Sequence, residues 1–121
     1  METLIMAIDL KKNRIRIHKA TLHLLGDPSS VQFLINPDTK EIGLRNMDDN
    51  PTDITVLKIS KFQMASDNSI DFYSQKLVKQ IVEAAGNMEE KSCYRIYGKT
   101  NKQKRSALFS FNHVEKILEQ V

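Results

Sequence analysis

The residues with the clearest chemical use in this sequence are two runs of cations. Lys11, Lys12, Arg14, Arg16 and Lys19 stand close together, with His18 beside them and no acid between them. A second run, Lys99-Thr100-Asn101-Lys102-Gln103-Lys104-Arg105, is equally free of acids. Ammonium and guanidinium groups at this density neutralise phosphates and release the counterions condensed along a nucleic acid. The acids gather elsewhere, at Asp48-Asp49 and Glu89-Glu90, so a net charge of only +3 conceals a segregated distribution. Both runs also have a plainer use: charge on an edge strand discourages edge-to-edge pairing, and a basic hairpin loop is simply solvated. Tyr94 and Tyr97 adjoin the second run as stacking candidates, but a strand sends them to opposite faces.

The remaining reactive side chains do not assemble into a recognisable catalytic pattern. His18, His23 and His113 lack the spacing of metal ligands, and Cys93 has no second cysteine to join it. A buried, inert thiol is the expected state of Cys93. Ser29, Ser30 and Ser74 do not sit in a nucleophile elbow, and the four glycines are too scattered for a phosphate-cradling loop. The acid pairs fall in polar segments and read as solvated loops. No enzyme and no cofactor is expected.

The elements that must position the cations follow from periodicity. Leu4 to Ile8 has strand content, Asp9 to Asn13 has turn chemistry, and Arg14-Ile15-Arg16-Ile17-His18 alternates as a half-buried strand does. That alternation puts the arginines opposite Ile15 and Ile17. A short helix is expected over Lys19 to Leu25, with Ala20, Leu24 and Leu25 near its apolar face and Gly26 ending it. Ser30 to Asn36 and Glu41 to Arg45 read as a hairpin about Asn36-Pro37-Asp38-Thr39. Ile54 to Ile59 and Ser69 to Tyr73 are strands, and Asn46 to Thr52 is a polar connector too short to divide domains. Ser74 is an N-cap for a helix over Gln75 to Ala85, whose stripe is Leu77, Val78, Ile81, Val82 and Ala85. Ser92 to Tyr97 and Ser106 to Phe111 are strands, and Asn112 caps a last helix with Val114, Ile117, Leu118 and Val121 inward. The expected core also takes Leu25, Val31, Phe33, Ile35, Ile42, Leu44, Ile54, Val56, Ile70, Phe72, Ile96, Leu108 and Phe109.

Laid side by side, residues 1–46 and 53–121 share one order: strand, turn, strand, helix, glycine, strand, turn, strand. Hairpin, short helix ending in Leu-Gly, hairpin is similar to the AbrB/MazE/MraZ swapped-hairpin family. The matching residues are Asn13 to Ile17, Leu24-Leu25-Gly26, Val31 to Ile35 and Lys40 to Arg45. The chain departs from the family at His18, where proline is usual, and at Leu22-His23-Leu24, where an arginine pair is frequent. The resemblance implies two interlocked units in one small β-barrel, either within the chain as a monomeric pseudo-dimer or between chains as a homodimer. It also implies transcription regulation through double-stranded DNA, with Arg14 at the family's strand-opening arginine and Arg16 and Lys19 close by.

The fold expected is therefore α+β, mostly β: a single domain of 121 residues with tandem strand-strand-helix-strand-strand units and a C-terminal helix. With 40% hydrophobic residues the chain can build one core. Its apolar runs are too short to span a bilayer, and its single cysteine and plain N-terminus point to the cytoplasm. The expected function is a DNA-binding regulator using Lys11, Lys12, Arg14, Arg16, Lys19, Lys102, Lys104 and Arg105. The competing expectation is a protein-interaction module, antitoxin-like or phage-encoded, that acts without DNA.

Overall fold

A computed structural model of the chain describes residues 3–46, 56–59, 68–101 and 106–117. The first strand, β1 (Thr3–Asp9), buries Leu4, Met6 and Ile8, the alternation a strand with one buried face requires. The turn after it is closed by Asp9, whose Oδ1 accepts from the Lys11 and Lys12 backbone N–H groups at 3.0 and 3.2 Å. Asn13 completes it at φ 52°, a left-handed conformation that asparagine tolerates. β2 (Arg14–His18) returns antiparallel and runs straight into α1 (Lys19–Leu24).

The buried face of α1 is Thr21 and Leu22, continued by Leu25, whereas Ala20 is exposed and Leu24 only half-buried. Leu25 is inward as expected and Leu24 packs partly against the core, whereas Ala20, expected on the same face, points out. The helix starts directly on the end of β2, where Lys19 N–H donates to the Asn68 carbonyl at 2.9 Å. The strand, not the composition of so short a helix, therefore sets its rotation.

β3 (Ser30–Asn36) and β4 (Glu41–Asn46) form the expected hairpin. Its turn is held by Asn36 Oδ1, which accepts from the Asp38 and Thr39 N–H groups. β5 (Val56–Lys58) and β6 (Ser69–Tyr73) follow, then α2 (Gln75–Ala85). Ser74 caps α2 by accepting the Leu77 N–H on its Oγ at 3.2 Å. Gly86 ends it at φ 81°, the left-handed C-cap that glycine adopts without a Cβ penalty.

β7 (Cys93–Asn101) and β8 (Ser106–Ile117) are much longer than expected, and no helix follows Asn112 among the described residues. Ile96 pairs with Val114, Arg95 with Glu115 and Cys93 with Ile117, so the last segment is spent on strand pairing. A helix that short is marginal alone, and the cross-strand partners of the long β7 outweigh its propensity. Leu118 and Val121 lie outside the described residues, as do Ile54 and most of the Asn46 to Thr52 connector.

The strands form one curled antiparallel sheet in the order β5-β3-β4-β8-β7-β1-β2-β6. Inside the curl lie Met6, Ile8, Ile15, Ile17, Phe33 and Phe109, all fully buried. Phe33 meets Phe72 edge to face, ring centroids 6.3 Å apart, and α2 lays Leu77, Val78 and Ile81 on this core. Leu108 is 49% exposed, which corrects its placement in the core. It neighbours the buried Phe109 in one strand, and consecutive strand residues face opposite ways. No helix among the described residues is long and apolar enough to cross a membrane.

Candidate nucleic-acid interface

Two sets of cations, differing in how they are held, emerge from this fold. The arginines lie on the outer face of the sheet and are engaged. Arg16 stands directly across from Asp71 and makes a two-pronged ion pair with it, Nε to Oδ1 at 2.7 Å and Nη2 to Oδ2 at 3.0 Å. These hydrogen bonds hold the Asp71 carboxyl below its ordinary pKa, against a smaller opposing effect of partial burial, and raise that of Arg16. Arg14 stands across from Asp9 and reaches its Oδ2 at 3.4 Å. Their charge is largely spent inside the protein.

The lysines are held differently. The β1–β2 turn raises Lys11 and Lys12 into solvent. Ser74 N–H donates to the Asn13 carbonyl at 3.0 Å, tying that turn to the start of α2. An open groove of about 440 Å³ forms where they meet, and Lys11, Lys79 and Lys91 all line it. Asn13, Gln75 and Glu90 add polar groups, and Leu10, Val78 and Val82 supply its apolar part. Lys12 adjoins Lys11 in the turn, and Lys76 lies three residues before Lys79, on the same side of the helix. None of Lys11, Lys12, Lys76, Lys79 and Lys91 has an ion-pair partner among the described residues. Among the described residues that line the groove, three lysines stand against the single carboxylate of Glu90, which leaves a net cationic surface suited to a polyanion.

Of the cations expected from the sequence, the structure thus brings Lys11 and Lys12 into this surface and engages Arg14 and Arg16 beside it. Lys19 opens α1, half-buried. Lys102, Lys104 and Arg105 lie outside the described residues. Lys76, Lys79 and Lys91 belong to the surface although they form no run in sequence. A polar helix face carrying Lys76 and Lys79 is legible from periodicity, but its approach to Lys11 is a tertiary fact.

A second concavity, about 660 Å³, opens on the outer face at an irregularity between β7 and β8. From the Ile96–Val114 pair to the Gly98–Phe109 pair, β7 advances 98 − 96 = 2 residues and β8 advances 114 − 109 = 5. Tyr97, Lys99, Leu108 and His113 line the hollow. Tyr94 is buried, its hydroxyl accepting the Glu89 N–H at 2.7 Å, so only Tyr97 of the two tyrosines reaches the outside. Cys93 is half-buried, more exposed than expected. His23 pairs with Asp27 on the exposed side of α1. Among the described residues, no three His, Cys, Asp or Glu side chains converge as a metal site requires. No family model, no curated protein and no solved structure matches the chain.

Proposed function

We propose that this chain is a non-catalytic, regulatory nucleic-acid-binding protein that grips the phosphate backbone through lysines of the β1–β2 turn and α2. The observation that carries this reading is the groove lined by Lys11, Lys79 and Lys91 against the single acid Glu90, with Lys12 and Lys76 beside it and none of the five lysines in an ion pair among the described residues. Lysine is a mobile point charge suited to sequence-independent phosphate contact. The reading is tested by fluorescence anisotropy with labelled nucleic acid at low and at physiological salt. Three to five phosphate contacts give a log K against log salt slope of about −2 to −4.5. The triple variant Lys11→Glu, Lys79→Glu, Lys91→Glu loses most of the affinity and flattens the slope. Unchanged affinity in that variant refutes the reading.

The order of strand pairings supports two tandem pseudo-repeats of the swapped-hairpin kind. Exchange β1 to β4 with β5 to β8, and β3–β4 becomes β7–β8 while β1–β7 becomes β5–β3. The β2–β6 and β4–β8 pairs map onto themselves. Arg16 and Asp71 lie at the centre of one self-mapped pair, so their ion pair joins the two halves. The image of β1–β2 would be β5–β6, and residues 60–67 between those strands lie outside the described ones.

A second reading, docking of a protein partner, is favoured by one cross-strand row. Leu34 and Leu108, 44% and 49% exposed, flank Gly43 on the outer face. The assignment shifts to it if the wild-type chain binds no labelled nucleic acid at low salt while a Leu34→Lys, Leu108→Lys variant loses a co-purifying protein.

A further inference from the structure

The lysine surface carries an exposed aromatic ring at its border. Tyr73 is 67% exposed, the most exposed of the large hydrophobic side chains among the described residues. It closes β6, the terminal strand of the sheet order, and stands directly across from Arg14 on the outer face. Neither a hydrogen bond nor a ring contact holds it among the described residues. Two residues further on is Gln75, which lines the lysine groove, so Tyr73 lies within about 7 Å of that lining along the chain. The carbonyl of Asn13, itself in the groove wall, accepts the Ser74 N–H and fixes this junction.

A tyrosine left exposed forgoes the stabilisation that burial of its ring would give. Two residues from the lining of the lysine groove, and beside Arg14 and Arg16 on the outer face, its exposed ring has a direct use. Bases of a duplex are stacked on one another and offer a protein only their edges, whereas the bases of a single strand are free to splay and stack on an aromatic ring. Cations that follow the backbone combined with a ring that takes a base are the two parts of a single-strand platform. We propose that this surface takes single-stranded nucleic acid in preference to duplex, its phosphates along Lys11, Lys79 and Lys91 and a base stacked on Tyr73. The inference rests on the nucleic-acid reading above and narrows its substrate class, away from the duplex that the family resemblance implies. Arg14 contributes position more than charge here, since Asp9 occupies its guanidinium.

The test compares the full chain, Tyr73→Ala and Tyr73→Phe in anisotropy titrations against a labelled oligothymidylate of about 16 nucleotides and a duplex of equal length. The wild-type chain binds the single strand more tightly. Tyr73→Ala weakens that binding about 5- to 150-fold and leaves duplex affinity where it was, while Tyr73→Phe keeps both, because the ring and not the hydroxyl does the stacking. Duplex binding as tight as single-strand binding overturns the proposal, and so does a Tyr73→Ala variant that weakens both ligands equally or neither. In all of those outcomes the loss of affinity in the lysine triple variant still upholds the broader reading. Failure of the wild-type chain to bind either ligand at low salt removes both.

Discussion

Gly98 is the position where a single methyl group should cost most. It sits in β7 at the irregularity that opens the outer hollow, at a φ outside the left-handed region, so conformational freedom is not what it supplies. Space is. A Cβ there would stand 2.5 Å from the Leu108 carbonyl oxygen and 2.7 and 2.8 Å from ring atoms of the fully buried Phe109. The ring cannot swing away inside a packed core, and the carbonyl belongs to the neighbouring strand, so the β7–β8 ladder itself must move. Overpacking of this kind costs about 1–3 kcal/mol, and a backbone obstacle places Gly98→Ala at the upper end, about 3 kcal/mol. Alanine's lower conformational entropy when unfolded returns less than 1 kcal/mol of that, roughly. For a chain of this length the net loss lowers Tm by about 10 °C. Gly43→Ala is the matched control. Its Cβ would meet Leu34 side-chain and backbone atoms at 3.5 to 3.9 Å, ordinary contact on the outer face, and the variant should gain about 0.5 kcal/mol. Thermal and urea unfolding followed by circular dichroism measure both. If Gly98→Ala melts within about 2 °C of the parent, or if Gly43→Ala loses as much as Gly98→Ala, the close approach of β8 to Gly98 is wrong.

The Arg16–Asp71 pair is two-pronged but its side chains are 41% and 27% exposed, so solvent screening limits it to about 1 kcal/mol, read as the coupling in a double-mutant cycle with Arg16→Ala and Asp71→Ala. Because the folded-state pKa of Asp71 is lowered, that stability is fully present above about pH 4 and fades as pH falls through the folded value. The pH dependence of Tm should therefore be shallower in Asp71→Asn below about pH 4, and identical acid limbs would count against the pair. Ser74→Ala removes the side-chain N-cap of α2 and should cost about 1 kcal/mol in urea unfolding, with Ser74→Asp restoring most of it. Equal stability of the alanine variant would show that the cap contributes nothing.

Much of the local architecture is readable from residue type. Ser74, the apolar stripe from Leu77 to Ala85 and Gly86 define α2 to its ends, because cap, periodicity and C-terminal glycine agree. The Asn36 to Lys40 hairpin is equally plain, its asparagine bonding back to the chain as turn chemistry requires. The failures are where tertiary pairing outweighs local preference. Val114 and Ile117 keep a helix-like spacing, yet they serve a strand because Ile96 and Cys93 lie opposite them. In α1, Thr21 is buried with its hydroxyl unpartnered among the described residues, a placement no apolar pattern would choose, while Ala20 faces out. The candidate site divides in the same way. Lys11 and Lys12 are legible as a basic turn, but Lys79 and Lys91 join them only through the contact of that turn with α2, a contact made across more than half the chain.

The division of labour between the two kinds of cation has a physical origin that bears on how binding should be probed. Each arginine among the described residues is bonded to the residue directly opposite it on a neighbouring strand: Arg14 to Asp9, Arg16 to Asp71, Arg45 to Gln32 and Arg95 to Glu115. The planar fork of guanidinium suits a fixed carboxylate or amide across a ladder, where side chains stand at a set separation and lose little further freedom. Lysine is a flexible point charge that gains little from such a partner and remains available in turns and on helix surfaces. Arg14 and Arg16 are thus part of what holds β1, β2 and β6 in register, although the sequence sets them in the same basic run as Lys11 and Lys12. Their replacement acts on stability first, and a loss of nucleic-acid affinity in an Arg14, Arg16 double variant would report loosened strands as readily as lost phosphate contacts. Lys11, Lys79 and Lys91 have no ion-pair partner among the described residues, so reversing their charge tests the surface itself.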